Sequence, residues 1–227
     1  MQPYIFPYIG YFQLMQAADV FVVYDDVNFI NRGWVNRNRL LANHKEWLFT
    51  IPLAGGSQNK KINEIQLDDA QPWRNKLLKT IEQNYRKAPH YQQVYPLIEQ
   101  VVAAPTQLLS ELLLSGLTQV ANYLQLSAKI VPTSSVYQNQ SLKAQERILD
   151  ICAQEQATDY VNAIGGMSLY QKEDFAHVGI RLHFQRTRSI QYSQFGNDFV
   201  PWLSIIDVLM FNPIEQTRHL LTQYDLI

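Results

Sequence analysis

Charge is scarce in this chain. Its 227 residues hold 19 Lys and Arg against 20 Asp and Glu, so 17% are charged and the formal net charge is −1. An ordinary soluble domain carries roughly 25%. A balance so near zero is a poor basis for nucleic-acid binding, which rests on neutralising phosphates; only Arg32–Arg39 and Arg181–Arg188 hint at a basic stripe. Cysteine is nearly absent. Cys152 alone excludes an intrachain disulfide, and its helix-like setting, 146–152, reads as packed core. Long apolar runs are missing as well. A membrane span needs about 18 residues, and the best candidate, Leu108–Leu117, is broken by Ser110, Glu111 and Ser115. No Lys or Arg precedes Arg32, so a signal-peptide n-region is lacking and a cytoplasmic protein is the expectation. The five histidines (44, 90, 177, 183 and 219) have no HxxxH or HExxH spacing, so no metal site is expected. The G-x-S-x-G, G-x-G-x-x-G and P-loop patterns are missing too, and the sequence leaves any cofactor unknown.

What the chain does have is apolar and amide-rich. Apolar residues make up 47%, with 13 Tyr, 10 Phe, 4 Trp and 24 dispersed Gln. That is too apolar for disorder and long enough for a sizeable core. Helical spacing runs over Ile9–Ala18, and Val20–Tyr24 reads as a buried strand ending at Asp25-Asp26. Arg39–Leu53 suggests a hairpin, and Ile62–Leu67 a strand. Pro72–Leu126 is helical. A βα rhythm follows, with strands at Ile130–Thr133, Tyr160–Ile164 and Ile180–Phe184. Helices alternate with them at Lys143–Gln154 and Met167–His177, and Trp202–Phe211 and Ile214–Tyr224 form a helical tail. This alternation predicts an α/β fold with a mainly parallel sheet flanked by helices, a helical insertion in the middle and a short β-hairpin. The parts would be 1–70, 71–127 and 128–227, in one globular unit.

Ligands of open parallel sheets bind beyond the carboxyl ends of the strands. Applied here, that rule predicts a cleft lined by Gln2 and Tyr4, Asp25 and Asp26, Ser134, Asn162, Gly165 and Gly166. Asp25 shares a strand face with Val23 and Val27, so its carboxylate is either partnered by a nearby arginine or functional. Trp34-Val35-Asn36-Arg37-Asn38-Arg39 is dense in amides and guanidinium forks. As a strand it puts Asn36 and Asn38 on one face and Arg37 and Arg39 on the other. It reads as a ligand face or as a charged edge strand. Gly165-Gly166 before a helix suits either a phosphate at the helix N-terminus or a tight turn. Ser134-Ser135 has no evident base and reads mostly as a turn.

These residues carry a resemblance to the WbqC-like family of bacterial proteins. It rests on Gln2-Pro3-Tyr4-Ile5-Phe6-Pro7-Tyr8-Ile9-Gly10-Tyr11-Phe12, Tyr24-Asp25-Asp26-Val27, and Trp34 to Arg39. Further on it continues through Tyr160-Val161-Asn162-Ala163-Ile164-Gly165-Gly166 and Leu203 to Asn212. The resemblance implies a place in the biosynthesis of O-antigen and other surface polysaccharides, and a transferase acting on a nucleotide-activated sugar. It also implies a short apolar strand ahead of Gln2, which this sequence, opening at Met1, does not include. It supplies no catalytic residues. A looser similarity to nucleotidylyltransferase-like folds lacks their paired histidines.

On chemistry and position, Arg37 or Arg39 would hold a diphosphate, Asp25 or Asp26 would act as base, and Tyr4 and Trp34 would stack on base or sugar. The alternative is a non-catalytic ligand-binding or scaffolding protein of a polysaccharide assembly complex. Aromatics lining a concave cleft favour the enzyme; a flat aromatic patch favours the scaffold.

Overall fold

The computed structural model describes residues 1–196 and 198–227. Its helices are α1 (Ile9–Gln16), α2 (Trp73–Tyr85), α3 (Tyr91–Val102), α4 (Leu109–Tyr123), α5 (Ala144–Gln154), α6 (Lys172–His177), α7 (Ile205–Phe211) and α8 (Ile214–Leu220). The strands are β1 (Val20–Val22), β2 (Arg37–Ala42), β3 (Lys45–Thr50), β4 (Leu53–Ala54), β5 (Gln66–Leu67), β6 (Lys129–Val131), β7 (Asp159–Ala163), β8 (Arg181–Thr187) and β9 (Tyr224–Leu226).

The mixed α/β character agrees with the sequence reading. A single, mainly parallel sheet is not what forms. β1 pairs with β6 in parallel and β7 with β8 in parallel, while β9 adds antiparallel to β8. The two parallel pairs belong to separate sheets, and residues of β1 and β7, with α1 and α5, line a cavity of about 310 Å³ between them. At one end of it the Met1 amino group donates to the Val22 carbonyl (2.8 Å) and the Tyr24 N–H donates to the Met1 carbonyl (2.9 Å). Met1 thus lies in parallel register beside Val23.

The hairpin forms as expected. Asn43 (φ 49°) and His44 (φ 62°) make its two-residue turn, with Ala42 paired to Lys45. Two successive left-handed residues match the twist of the flanking strands. Elsewhere local patterns misled. Ile62–Glu64 is a 3₁₀ turn, so only Gln66–Leu67 of that stretch is strand. Met167 lies in a 3₁₀ segment, Ile164–Leu169, and the helix begins later, at Lys172. The end of the chain, read as helix to Tyr224, turns into β9, whose partner β8 lies some forty residues back. That pairing leaves no local periodicity to read.

The largest core draws on α1, the hairpin, α2 to α4 and α7. α4 shows why: Leu109, Leu112, Leu113, Gly116, Leu117, Val120 and Ala121 are all buried, at the i, i+3, i+4 spacing of one helical stripe. Cys152 packs with Phe175, Ile180, Leu182 and Phe184 in a second cluster.

Residues 5–7 are laced between the hairpin and α7. The Ile5 N–H donates to the Val35 carbonyl (3.1 Å), and Asn38 Nδ2 donates to the carbonyls of Ile5 (2.9 Å) and Phe6 (2.6 Å). Ser204 Oγ also donates to the Phe6 carbonyl (2.7 Å), and the Ile205 N–H to that of Pro7 (2.8 Å). Phe6 itself is in the left-handed region (φ 40°), unusual for a bulky residue. Strain of that kind costs about 1–3 kcal/mol, comparable to the ~1.5–3 kcal/mol gained by burying a phenylalanine. The lacing therefore decides whether the conformation persists.

Asn38→Ala would leave the Ile5 carbonyl buried without a donor, while Phe6 would keep the Ser204 hydroxyl. The expected loss is about 1–3 kcal/mol, measured as a lower urea midpoint at unchanged slope; unchanged stability would show that the lacing carries no energy.

Candidate functional site

An open concave site lies where this N-terminal segment meets the start of the hairpin. A cavity of about 460 Å³ is lined by Gln2, Tyr4, Tyr8, Trp34, Arg39 and Trp202, together with apolar neighbours and Asn38. Its volume is in the range of small-molecule sites, roughly 300–1,000 Å³. Trp34 is 44% exposed and Trp202 62%. A large aromatic left open to solvent beside a cavity is placed to stack on a ligand.

Each wall has a local cause. The Arg37 and Arg39 guanidiniums lie 5.6 Å and 4.9 Å from the Trp34 ring centroid, close enough for cation–π attraction. Arg37 Nε donates to the Gly33 carbonyl (2.7 Å), bracing the turn that carries Trp34. Among the described residues Arg39 commits only Nη1 of its guanidinium, to Glu46 (3.0 Å) in a solvent-exposed pair. Such pairs contribute about 0–1 kcal/mol, so a ligand anion can compete for it.

Tyr4 accepts the Tyr8 N–H at its hydroxyl (3.2 Å) and meets Tyr11 edge-on, centroids 5.4 Å apart. The Tyr8 ring folds back over Gly10, where an added Cβ would come within 2.3 Å of the ring, and stands 6.0 Å from the ring of Trp202. Trp202 holds a left-handed backbone (φ 61°). Strain at an exposed aromatic in a cleft wall is the pattern of a ligand clamp.

The aspartates at the end of β1 sit elsewhere, in a polar network between β6 and α5. Asp26 is 3% exposed; it accepts from Arg147 Nη2 (2.5 Å) and from the Ser134 hydroxyl. Arg147 in turn donates from Nε to Asn139 Oδ1 (2.8 Å) and lies 4.9 Å from the Tyr24 ring centroid. Burial works against the Asp26 charge, but the bonds from Ser134 and Arg147 and the Arg147 charge overcome it and hold the carboxyl below its ordinary range. Removing one partner of such a buried pair strands the other, at about 3–5 kcal/mol. Asp25 Oδ1 accepts from the Thr133 hydroxyl (2.7 Å) and the Ser134 N–H (3.2 Å). Burial, opposed by these bonds, pushes its carboxyl upward. Asp25 has no cation paired with it among the described residues.

The predicted cleft residues are therefore distributed over several places. Gln2, Tyr4, Trp34 and Arg39 share one cavity. Asp25, Asp26 and Ser134 share the buried network, and the partner of Asp26 is Arg147, not an arginine of 32–39. Asn36 and Asn38 face inward and Arg37 and Arg39 outward, as strand alternation requires. Asn36, however, spends its amide on the Ile51 carbonyl (2.7 Å). Asn162 lines the cavity between β1 and β7, and a Cβ on Gly166 would strike the Asn162 amide. Gly165 is open to space, and the helix expected just after these glycines starts at Lys172.

Sequence reasoning overlooked Tyr8, Trp202, Arg147 and Asp207. Arg147 had a signal, since it lies four residues before Ile151 on the buried stripe of α5. So did Asp207, the lone charge between Leu203 and Phe211. It is fully buried and accepts from Tyr85 Oη (2.8 Å), Tyr192 Oη (2.7 Å) and Gln194 Nε2 (2.6 Å). Tyr192 and Gln194 belong to the segment that leads to Trp202, so Asp207 anchors that wall of the cleft. No group of three or more His, Cys, Asp or Glu among the described residues is arranged to hold a metal ion. Burial pushes the Cys152 thiol up to about 11, the environment of an inert core cysteine.

Fold and site together describe a mixed α/β protein with an open hollow walled by Tyr4, Tyr8, Trp34 and Trp202 beside Arg39. The chain belongs to the WbqC-like protein family, which it matches over residues 2–219. It is similar to the uncharacterized protein Rv1507c of Mycobacterium tuberculosis (strain ATCC 25618 / H37Rv). Identity is 30% over 212 residues, covering 91% of this chain and 89% of that one. No solved structure matches the chain.

Burial raises the Asp207 carboxyl above its ordinary range, although the bonds from Tyr192, Tyr85 and Gln194 oppose the rise. The native state thus holds this proton more tightly than the unfolded chain, whose carboxyl titrates near ~3.9. Its contribution to stability is full below that value and fades as pH rises through the native pKa. In urea titrations from about pH 4 to about pH 8, the stability of the wild type relative to Asp207→Asn should fall with rising pH; a difference independent of pH would contradict the assignment.

Proposed function

We propose that this protein is a cytoplasmic enzyme of O-antigen-type surface polysaccharide biosynthesis, binding a nucleotide-activated sugar and transferring or modifying a group on it. The single observation that carries the reading is the concave cleft in which Tyr4, Trp34 and Trp202 stand beside Arg39. Aromatic faces suit a base or a pyranose ring, and a guanidinium fork suits a diphosphate. A concave arrangement supports an enzyme over the scaffolding alternative. The polysaccharide part of the reading comes from the resemblance carried by Gln2 to Phe12 and Trp34 to Arg39, and the chain belongs to the family that resemblance named.

In this reading Trp34 stacks on the base, Arg39 with Arg37 behind it holds the diphosphate, and Gln2 and Tyr4 border the sugar. Asp25 and Asp26, expected from the sequence as acid–base groups, are buried with Thr133, Ser134 and Arg147 outside this cleft, and the reading gives them a structural part. Asp25 follows Tyr24, whose N–H holds the carbonyl of Met1, next to Gln2 at the cleft wall.

A thermal-shift panel of uridine, guanosine and thymidine diphosphate sugars tests this. At least one should raise the melting temperature. Trp34→Ala and Arg39→Ala should each weaken that ligand by about tenfold or more, while the unliganded melting temperature moves little because both side chains are half exposed. No shift with any member would overturn the proposal.

A further inference from the structure

The wall formed by Tyr8 and Trp202 has a second side. Beyond it lies another cavity of about 610 Å³, shared with the first only through those two residues and otherwise lined mainly by the end of β8, the chain that follows it and the approach to α7, with Ile9 and Val208 behind. The two chambers differ in charge. The first has Arg39 and no carboxylate in its lining. The second has Arg188 and Asp198, but Arg188 is already neutralised, donating from Nε (3.0 Å) and Nη2 (2.6 Å) to Asp225. Asp198 has no ion pair among the described residues. Arg39 is likewise paired, with Glu46 (3.0 Å), so what sets the chambers apart is the Asp198 carboxylate, which disfavours an anion in the second.

The rest of the second chamber is neutral and polar around aromatic faces. Thr187, Ser189 and Gln191 supply hydroxyls and an amide, while Tyr8, Phe199 and Trp202 supply rings. Short hydroxyls, an amide, a carboxylate and flat aromatic faces are the groups that recognise the equatorial hydroxyls and C–H faces of an uncharged sugar. The partition has specific local causes: the Tyr8 ring occupies the space a side chain at Gly10 would need, and Trp202, 6.0 Å from it, holds a left-handed backbone.

We propose that this chamber is a second subsite, for an uncharged polyhydroxylated ligand, separated by the Tyr8–Trp202 pair from the anion-binding chamber. The proposal rests on the reading of the first chamber as the nucleotide-sugar site. It deepens that reading by giving the protein places for two ligands at once.

The test titrates the full chain with UDP, GDP and dTDP as anionic probes, and with methyl glucoside and methyl galactoside as neutral ones, by ligand-observed NMR. A glycoside should bind saturably, with an affinity that a saturating nucleoside diphosphate leaves unchanged. Ser189 is exposed at the chamber wall. Ser189→Trp should weaken the glycoside at least tenfold and leave the nucleoside diphosphate within twofold. Trp34→Ala should do the reverse. Gly10→Ala, which improves the helix by about 0.5–1 kcal/mol yet displaces the Tyr8 ring, should keep the fold and disturb both ligands. A glycoside displaced by nucleotide, indifferent to Ser189→Trp, or not bound at all would overturn the second subsite. Failure of all three nucleotides would overturn the reading of the first chamber, and the glycoside titration with Ser189→Trp would still decide the second.

Discussion

The cleft depends on one constraint: a left-handed Phe6 held by two side chains that share its carbonyl. Asn38 reaches it from the hairpin and Ser204 from the start of α7. Because both bonds end on one peptide, the N-terminal segment, the hairpin and α7 cannot move independently there. Tyr4 leaves this knot on one side and Tyr8 on the other, so both rings face the same hollow. Phe6 itself turns inward, beside Gly116 of α4. The energy balance explains why the knot has to be tight, since strain at Phe6 is about as large as the gain from burying its ring.

Two buried carboxylates divide the remaining structural work. Asp26 is ionised against Arg147 and ties β1, β6 and α5 together at the strand ends. Asp207 has only neutral donors, Tyr85, Tyr192 and Gln194, and ties α2, α7 and the Trp202 segment together. Tyr85 extends this second network to the hairpin by accepting the Leu41 N–H at its hydroxyl (2.7 Å). The first acid is shielded by a cation, the second by burial and hydrogen bonds alone. Asp207 is consequently the group whose titration bears on the shape of the cleft wall.

Much of this was legible in the sequence, though not always with the right meaning. The helices α1, α2 to α4 and α5, the hairpin and the parallel partners β1, β6, β7 and β8 all follow from apolar period and punctuation. The gap between β1 and β7 does not, because each strand looks equally buried when read alone. The dense Asn-Arg stretch stands out in the sequence, but its asparagines serve the protein's own carbonyls at Ile51, Ile5 and Phe6. An amide that satisfies backbone and one that waits for a ligand are spelled alike. Trp202 gave no signal, since its role arises from a backbone conformation and from a neighbour nearly two hundred residues away.

The central claim is that the hollow beside the Phe6 knot, not the acidic strand ends, is where a nucleotide-activated sugar binds. A crystal structure of the chain with a nucleoside diphosphate sugar tests this most directly. The account predicts the diphosphate on the Arg39 guanidinium, with rings of the ligand against Trp34 and Trp202. Density for the diphosphate at the end of β1, against Asp25 and Ser134, would contradict it.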